Sequence, residues 1–407
     1  MSQTFASLKV PDYRRYIGAQ LGANMGLWMQ RVAQDWLVLQ ITGSSGVAIG
    51  FVTALQFLPF LLVAPWAGVL ADRVSRQVVL VSTQSALIAL SVAMALLVVT
   101  GSITETWIYI FALLSGVAAA VDNPARQAIL GDVVGQENLV NGVALNSVAF
   151  NMSRILGPAL AGVLIALWGT SEVFVITALL FGLSLVLLAT MKSITHPRDH
   201  AASQGDRKPT LGQGLRFVGR DGAMLFCMLA VFIVASFNLN FQLTTALMST
   251  VEFGGDAAAF GILTTILSVG SLLGSLLAAR RKSVRIRLVV ASAVMLGLMS
   301  ALTGTMPTRL TYALALPLCG LFAMTFTTSV QSYVQVRTPA HMRGRVMGIY
   351  TVVFFAGTPV GAPLIGWASD HLGPRIGLIG GGALSVAGIL ILVMWLMRRM
   401  QRPANQT

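Results

Sequence analysis

Two residues of opposite charge, Arg31 and Asp35, lie four positions apart in a stretch that is otherwise almost free of charged side chains. If this stretch is a helix, residues four apart share one face, and Gln20 and Asn24 fall within the same arc of about 60°. A carboxylate beside a guanidinium can bind and release a proton when its contacts with the guanidinium change. Asp35 is therefore the leading candidate for a proton carrier, with Arg31 as its partner.

A second arginine, Arg154, gives this acid an alternative partner. Arg154 shares a polar helix face with Asn151, and a third polar face carries Asn238 and Gln242. Three such faces turned toward one another would form a hydrated cavity, with Tyr333 as a further candidate for its wall. The alternative is a permanent ion pair that only neutralises buried charge.

These polar residues lie within long apolar stretches of the sequence. Mean hydropathy is +0.79, and 10% of the residues are charged, where a soluble domain carries roughly 25%. A helix that crosses a bilayer needs about 20 apolar residues. The sequence predicts an all-α membrane protein with twelve such helices, at 15–41, 46–71, 77–100, 106–126, 139–168, 172–191, 222–249, 257–279, 285–305, 309–335, 343–369 and 374–397.

The positions of the basic residues predict the orientation, because cytoplasmic loops collect Lys and Arg. All but four of the 27 Lys and Arg residues lie in the tails or in every second loop. Arg309 and Arg375 lie on the opposite side, and Arg31 and Arg154 lie inside predicted spans. We therefore expect a multi-pass membrane protein with both termini in the cytoplasm. The net charge of +13 comes from basic residues spread over the cytoplasmic loops and tails. It does not form one basic face of a soluble domain, so no nucleic-acid partner is expected.

A polar linker divides the chain into two halves. The sequence predicts an N-terminal six-helix bundle at 1–192, a cytoplasmic linker at 193–221 and a C-terminal six-helix bundle at 222–407. A shift of 204 residues superimposes part of the fifth span on part of the eleventh, and Gly157, Gly162 and Gly169 then fall on glycines. Parallel repeats of this kind are typical of transporters whose substrate site lies between the halves.

The predicted loop between spans two and three carries the strongest motif, which runs from Gly68 through Asp72, Arg73 and Arg76. It resembles the signature loop of the major facilitator superfamily, except that Gln follows Arg76 where that family has a basic residue. The resemblance implies a gate that closes the cytoplasmic side through ionic and helix-end contacts. Asp122, at the end of span four, is the expected second acid of this gate. The alternative is that these charges only determine topology.

Span five carries Gly157, Pro158 and Gly162, which resemble the antiporter motif of the same superfamily, with Ser153 and Ala161 at two of its glycine positions. That motif is associated with export by proton exchange. Other stretches resemble the bacterial enterobactin-exporter-like and macrolide-efflux-like branch, namely 122–126, 343–348 and 36–44. The resemblance covers essentially the whole chain and implies a protein of the bacterial inner (plasma) membrane. It implies a secondary active transporter that exports a drug-like or siderophore-like solute by alternating access, in exchange for protons.

Two other functions stay open. One is a lipid flippase or an importer that works without proton exchange, and the other is a non-transporting membrane sensor on the same scaffold. An enzyme is not expected, because the sequence has neither a nucleotide-binding loop nor room for a soluble catalytic domain. The four His residues are dispersed, so we expect neither a metal site nor a cofactor. The expected partners are the bilayer, a small-molecule substrate and protons, and the expected state is a monomer.

Overall fold

The computed structural model describes residues 7–63, 74–135, 137–191, 211–281 and 283–401. Long helices dominate these residues. In the first half they are α1 (Pro11–Ile41), α2 (Gly46–Leu62), α3 (Arg76–Val99), α4 (Glu105–Val134), α5 (Leu139–Trp168) and α6 (Thr170–Ala189). In the second half they are α7 (Leu211–Arg220), α8 (Gly222–Phe237), α9 (Phe241–Leu247), α10 (Ala257–Ala279), α11 (Ile286–Gly304), α12 (Arg309–Arg337), α13 (Ala340–Leu372) and α14 (Pro374–Gln401).

In the part of the chain that the structure describes, each predicted span corresponds to helix, and residues 64–71 of span two lie outside that part. Spans one to six are α1 to α6, and spans eight to twelve are α10 to α14. Span seven is made of α8, α9 and a short π-helix, Met248–Glu252. Among the described residues, ten helices are long and apolar enough to cross a membrane. The described part of α2 is shorter, and α1 has the length but carries the polar residues discussed below.

Contacts divide the chain into two compact units. Unit 1 comprises Met1–Ser44, Leu55–Gly205 and Gly255–Thr265. Unit 2 comprises Ser45–Ala54, Asp206–Gly254 and Ile266–Thr407. The first turns of α2 thus belong to unit 2, and the first turns of α10 belong to unit 1. The predicted division into 1–192 and 222–407 stays a prediction, and most of the predicted linker lies outside the described residues.

Unit 1 is built around α1. Its glycines Gly18, Gly22 and Gly26 face α6, where an added Cβ would lie 3.1 Å from Leu187, 3.0 Å from the Leu180 carbonyl and 2.9 Å from Phe181. Small residues at this spacing allow helix backbones to approach closely in lipid. A buried cluster at one end of the unit includes Tyr13, Tyr16, Leu80, Ala125, Ile129 and Leu188.

Unit 2 has a larger apolar core. Its buried cluster joins α8, α11, α12, α13 and α14 through side chains that include Met224, Phe226, Leu296, Phe326, Val330 and Tyr350. Glycines again mark the crossings, since an added Cβ at Gly270 would lie 2.0 Å from the Pro317 carbonyl oxygen. Both cysteines, Cys227 and Cys319, are buried free thiols in this unit.

Candidate functional site

The polar face predicted on α1 is buried inside unit 1. Gln20 and Asn24 are buried, and Asp35 is only 1% exposed. Charge and amide groups in a hydrocarbon environment are costly unless they face other polar groups. α1 tolerates them because other helices of unit 1 cover the face that carries them.

The guanidinium of Arg31 lies over two aromatic rings. Its Cζ is 5.3 Å from the ring centroid of Trp28 and 4.8 Å from that of Phe57 on α2. The ring faces carry partial negative charge, so they stabilise a cation when water is excluded. Arg31 is therefore held by two rings in addition to the neighbouring charge of Asp35 one turn away.

Three glutamines that the sequence analysis did not single out lie beside Arg31. Gln30 and Gln34 on α1 are each 1% exposed, and Gln56 on α2 donates an amide hydrogen bond of 2.9 Å to Gln34. Neither amide atom of Gln30 has a hydrogen-bond partner among the described residues. The signal that could have identified these residues is their polarity at mid-span, which costs free energy as a charge does.

These side chains line a small cavity. Its volume is about 10 Å³, measured as the space open to the centre of a water molecule, and its walls are Leu27, Gln30, Arg31, Gln34, Gln56, Ser115 and Gly116. A space of this size holds about one water molecule, whereas ligand pockets span roughly 300–1,000 Å³. The cavity can admit a water or one small polar group of a larger molecule.

A second polar cluster lies on α4, around Asp122 and Arg126. Asp122 binds Arg126 one turn along the helix and accepts hydrogen bonds from Thr83 (2.7 Å) and Gln84 (3.1 Å) of α3. Arg126 in turn donates to the Gln20 side chain of α1 at 3.0 Å. Both charged residues are buried, so this network fixes three helices against one another.

The motif of the predicted cytoplasmic gate is described only in part. Gly68, Asp72 and Arg73 lie outside the described residues. Arg76, the first residue of α3, binds the carboxylate of Asp132 near the end of α4 and the Ala128 carbonyl at 3.3 Å. The acid bound by Arg76 is thus Asp132, which the sequence analysis missed. The role of Asp122 in a gate stays a prediction.

The antiporter-like motif on α5 lies at two helix contacts of unit 1. An added Cβ at Gly157 would lie 2.7 Å from the Cβ of Trp28, and one at Gly162 would lie 2.9 Å from the Cα of Gly261 on α10. The Pro158 carbonyl oxygen lies 2.6 Å from the position of a Cβ at Gly261. The motif therefore brings α5 against the base of the Trp28 side chain and against α10.

The remaining polar candidates of α5 differ in setting. Asn151 uses its side chain along its own helix, donating to the Ser147 carbonyl at 2.8 Å. Arg154 is half-buried one turn further on. Its predicted alternation with Arg31 as a partner of Asp35 stays a prediction.

In unit 2, Asn238 and Gln242 lie at the break between α8 and α9. Asn238 is 3% exposed, and both its amide atoms and the amide nitrogen of Gln242 are buried without a hydrogen-bond partner among the described residues. Asn240 ends α8 by donating to the Ser236 carbonyl at 2.6 Å. The break thus gathers amide groups in the interior of this unit.

Tyr333 belongs to a cluster at one end of α12. Its hydroxyl accepts a hydrogen bond from Arg337 (3.2 Å), and Arg337 pairs with Asp221 (2.8 Å) at the start of α8. Desolvation acts to raise the pKa of the Asp221 carboxyl, but the hydrogen bonds from Arg337 and from the backbone of Met224 and Ala223 hold that pKa below its usual range. Tyr333 is therefore part of a charged helix-end contact.

Comparisons with known proteins point to one kind of protein. The sequence model of a family described as transmembrane secretion effectors matches residues 2–406. The staphyloferrin A transporter of Staphylococcus aureus is 25% identical over 357 residues, which cover 86% of this chain and 87% of that protein. The multidrug efflux pump Tap of Mycobacterium tuberculosis is 28% identical over 375 residues, covering 87% and 86%.

A further relative and a solved structure agree with these matches. The enterobactin exporter EntS of Citrobacter koseri is 23% identical over 409 residues, covering 97% of this chain and 94% of that protein. The crystal structure of the nucleoside transporter NupG matches with a TM-score of 0.71 at 12% identity, covering 96% of this chain and 100% of that one. At this identity the structural likeness shows a common fold.

Proposed function

Because the chain belongs to the transmembrane secretion effector family of the major facilitator superfamily, we propose that it exports a small amphipathic or lipophilic solute by alternating access, in exchange for protons. The family makes it a multi-pass membrane transporter rather than an enzyme. The solute class follows the names of its relatives, which carry a siderophore or several drugs. Protons enter as the solute leaves.

The observation that carries the proton coupling is the burial of Asp35 one turn from Arg31. An acid with 1% exposure inside a membrane-spanning helix is costly and marks a functional position by default. The rings of Trp28 and Phe57 support the guanidinium of Arg31. Arg31 therefore keeps favourable contacts with the two rings when Asp35 takes up a proton. Asp35 can then alternate between its charged and neutral forms while the cation of Arg31 stays stabilised.

The other predicted residues take supporting roles in this proposal. Arg154 is the alternative partner of Asp35, and Gln20, Asn24, Asn151, Asn238 and Gln242 offer amide groups to the solute. Gly68, Asp72, Arg73 and Arg76 form the cytoplasmic gate, with Asp122 stiffening the same end of the bundle. Gly157, Pro158 and Gly162 allow α5 to pack closely during the cycle. Both termini lie in the cytoplasm, and one chain forms the pathway.

An efflux screen tests the export of solute. Cells of one strain, with and without the gene, are exposed to diverse drugs, dyes and siderophores, and both the intracellular content and the growth-inhibitory concentration are measured. We expect at least one amphipathic compound to accumulate several-fold less in cells that carry the gene. The matched control is the same strain with an empty vector. Equal accumulation of every compound in the two strains would contradict the proposal.

A further inference from the structure

The N-terminus of α2 is capped by a carboxylate from α13. Asp370 accepts hydrogen bonds from the backbone N–H groups of Gly46 and Val47 (2.9 Å for Val47) and from the Ser45 hydroxyl (3.0 Å). The Ser45 hydroxyl also accepts from the Ala48 N–H at 3.2 Å. All these residues belong to unit 2. One carboxylate thus holds the first turn of α2.

A carboxylate at this position is favourable for two reasons. The first N–H groups of a helix have no partner within the helix, and the N-terminal end of the helix dipole is positive. A residue just before the helix usually supplies the cap. Here the cap comes from a residue 324 positions away. The Asp370 carboxylate therefore joins α2 to α13 in addition to capping the N-terminus of α2.

The backbones of the two helices touch beside this cap. An added Cβ at Gly366 would lie 2.0 Å from the Gly46 carbonyl oxygen, and one at Gly50 would lie 2.7 Å from the Ala362 carbonyl oxygen. No side chain can enter such a contact. The outer turns of α2 and α13 therefore form a tight crossing that the carboxylate of Asp370 closes at its end.

The sequence repeat relates this crossing to the crossing of α5 with α10, which among the described residues has no cap from the partner helix. The 204-residue shift places Gly366 on Gly162, which makes the corresponding contact with Gly261 of α10, and it places Asp370 on Ala166. The first turn of α10 is capped locally instead, by Asp256, which accepts from the Ala259 N–H at 2.9 Å. A tight crossing of this kind therefore forms without a cap from the partner helix, so Asp370 adds something beyond packing.

We propose that Asp370 is an outer latch, a positioning residue that holds α2 against α13 and favours the outward-closed state of the transport cycle. The inference rests on the alternating access and the orientation in the proposed function, but not on proton exchange. In that orientation, the start of α2 and the end of α13 face the outside. Opening a path to the outside separates these two helix ends, and the three hydrogen bonds to Asp370 break at that step.

The test is the accessibility of a thiol at Ala362, which is fully buried at the crossing. Ala362→Cys is placed in the full-length chain with Cys227→Ala and Cys319→Ala, and intact cells are treated with a membrane-impermeant maleimide. Asp370→Ala is expected to raise the labelling rate roughly two- to thirtyfold, the range that corresponds to the loss of a helix N-cap. Asp370→Asn, which keeps an acceptor oxygen but loses the charge, is expected to give a smaller increase.

Asp256→Ala is the matched control, because it removes an acidic cap that does not join two helices. It is expected to leave the labelling rate unchanged. Ser45→Ala removes one of the three donors and is expected to raise the rate modestly, so the test stands even if an Asp370 variant fails to fold. An Asp370→Ala rate equal to that of the parent, or matched by Asp256→Ala, overturns the latch while alternating access stands. If the thiol is never labelled in any variant, with or without solute, both the latch and alternating access are overturned.

Discussion

Asp122 and Arg126 form a buried ion pair at positions where the other half of the chain is apolar. The 204-residue shift places them on Phe326 and Val330, which are both fully buried in the core of unit 2. A buried ion pair is often no better for stability than well-packed apolar side chains. The fold therefore accepts either solution, and packing alone does not require the charged pair in unit 1.

This pair allows a prediction about stability. Arg126→Met keeps the length of the side chain and removes its charge, which leaves the carboxylate of Asp122 buried without its partner. We expect a loss of about 3–5 kcal/mol, the range found when one member of a buried pair is removed. Asp122→Asn combined with Arg126→Met should recover most of that loss, because a neutral amide still accepts from Thr83 and Gln84. The melting temperature of the purified protein in detergent measures both effects.

The control for this prediction is the half-exposed pair of Arg15 and Asp12 on α1. Arg15→Met should cost at most about 1 kcal/mol, as exposed ion pairs do. If Arg126→Met lowers the melting temperature no more than Arg15→Met, or if the double variant melts lower than the single one, the pair is not the buried charge contact described here.

The sequence alone indicated which charged residues are important, but it did not indicate which residues they contact. Arg31 and Asp35 could be identified as candidate functional residues because a charged residue stands out in an apolar stretch. The bond from Arg76 to Asp132 and the place of Gln30 beside the cavity were not recognisable, because they depend on which helices meet. Periodicity along one helix defines a face but does not name the residues opposite it.

Single glycines decide how closely the helices pack. Gly361 on α13 has the most crowded position at its contact with α8, where an added Cβ would lie 1.7 Å from the Ser236 carbonyl oxygen. Gly348 on the same helix has no atom within 4 Å of such a Cβ. The two positions share a helix and a residue type and differ in their surroundings.

Gly361→Ala and Gly348→Ala should therefore change stability in opposite directions. We expect Gly361→Ala to lose about 1–3 kcal/mol, because a backbone carbonyl cannot move aside cheaply. Gly348→Ala should gain up to about 1 kcal/mol, because Ala favours the helix. Thermal unfolding in detergent compares the two variants with the parent. An equal or greater gain from Gly361→Ala would show that α8 and α13 are not packed as described.

The element boundaries were largely predictable, and the exception has a physical cause. The predicted spans 139–168 and 257–279 coincide with α5 and α10, since apolar length and flanking polar residues fix both ends. The span predicted at 222–249 is instead broken at Asn238 and Asn240. A hydropathy pattern does not show such a break, because two asparagines change the mean hydropathy of the segment little. The side chain of Asn240 bonds to the Ser236 carbonyl at the break.

For the whole molecule, the two exceptions to the charge pattern now have structural roles. Arg375 binds Glu252 (2.7 Å) and the carbonyl oxygens of Gly304 (3.2 Å) and Met306 (2.7 Å). Arg309 donates to the Phe253 carbonyl at 3.1 Å. These arginines join the loops at one end of unit 2. They therefore stabilise loop contacts and need not oppose the orientation that the other basic residues indicate.

The halves of the chain repeat in sequence and differ in chemistry. The 204-residue shift relates the first residue of α4 to that of α12 and the first residue of α6 to that of α14. The interior of unit 1 carries Asp35, Arg31 and the pair on α4, while the cluster in unit 2 is apolar. Among the described residues, the buried charged side chains Asp35, Asp122 and Arg126 all belong to unit 1. This asymmetry agrees with the proposal that proton coupling takes place there.

Proton-driven accumulation in inside-out membrane vesicles tests whether Asp35 couples export of the solute to entry of protons. A solute found in the efflux screen is added outside vesicles whose lumen has been made acidic, and its uptake is followed in the parent and in Asp35→Asn. We predict accumulation by the parent that collapses with a proton ionophore, at most about tenfold per pH unit for one proton exchanged. Asp35→Asn should only let the solute equilibrate. Undiminished accumulation by Asp35→Asn, or accumulation by the parent that does not depend on the proton gradient, would show that Asp35 does not couple export to protons.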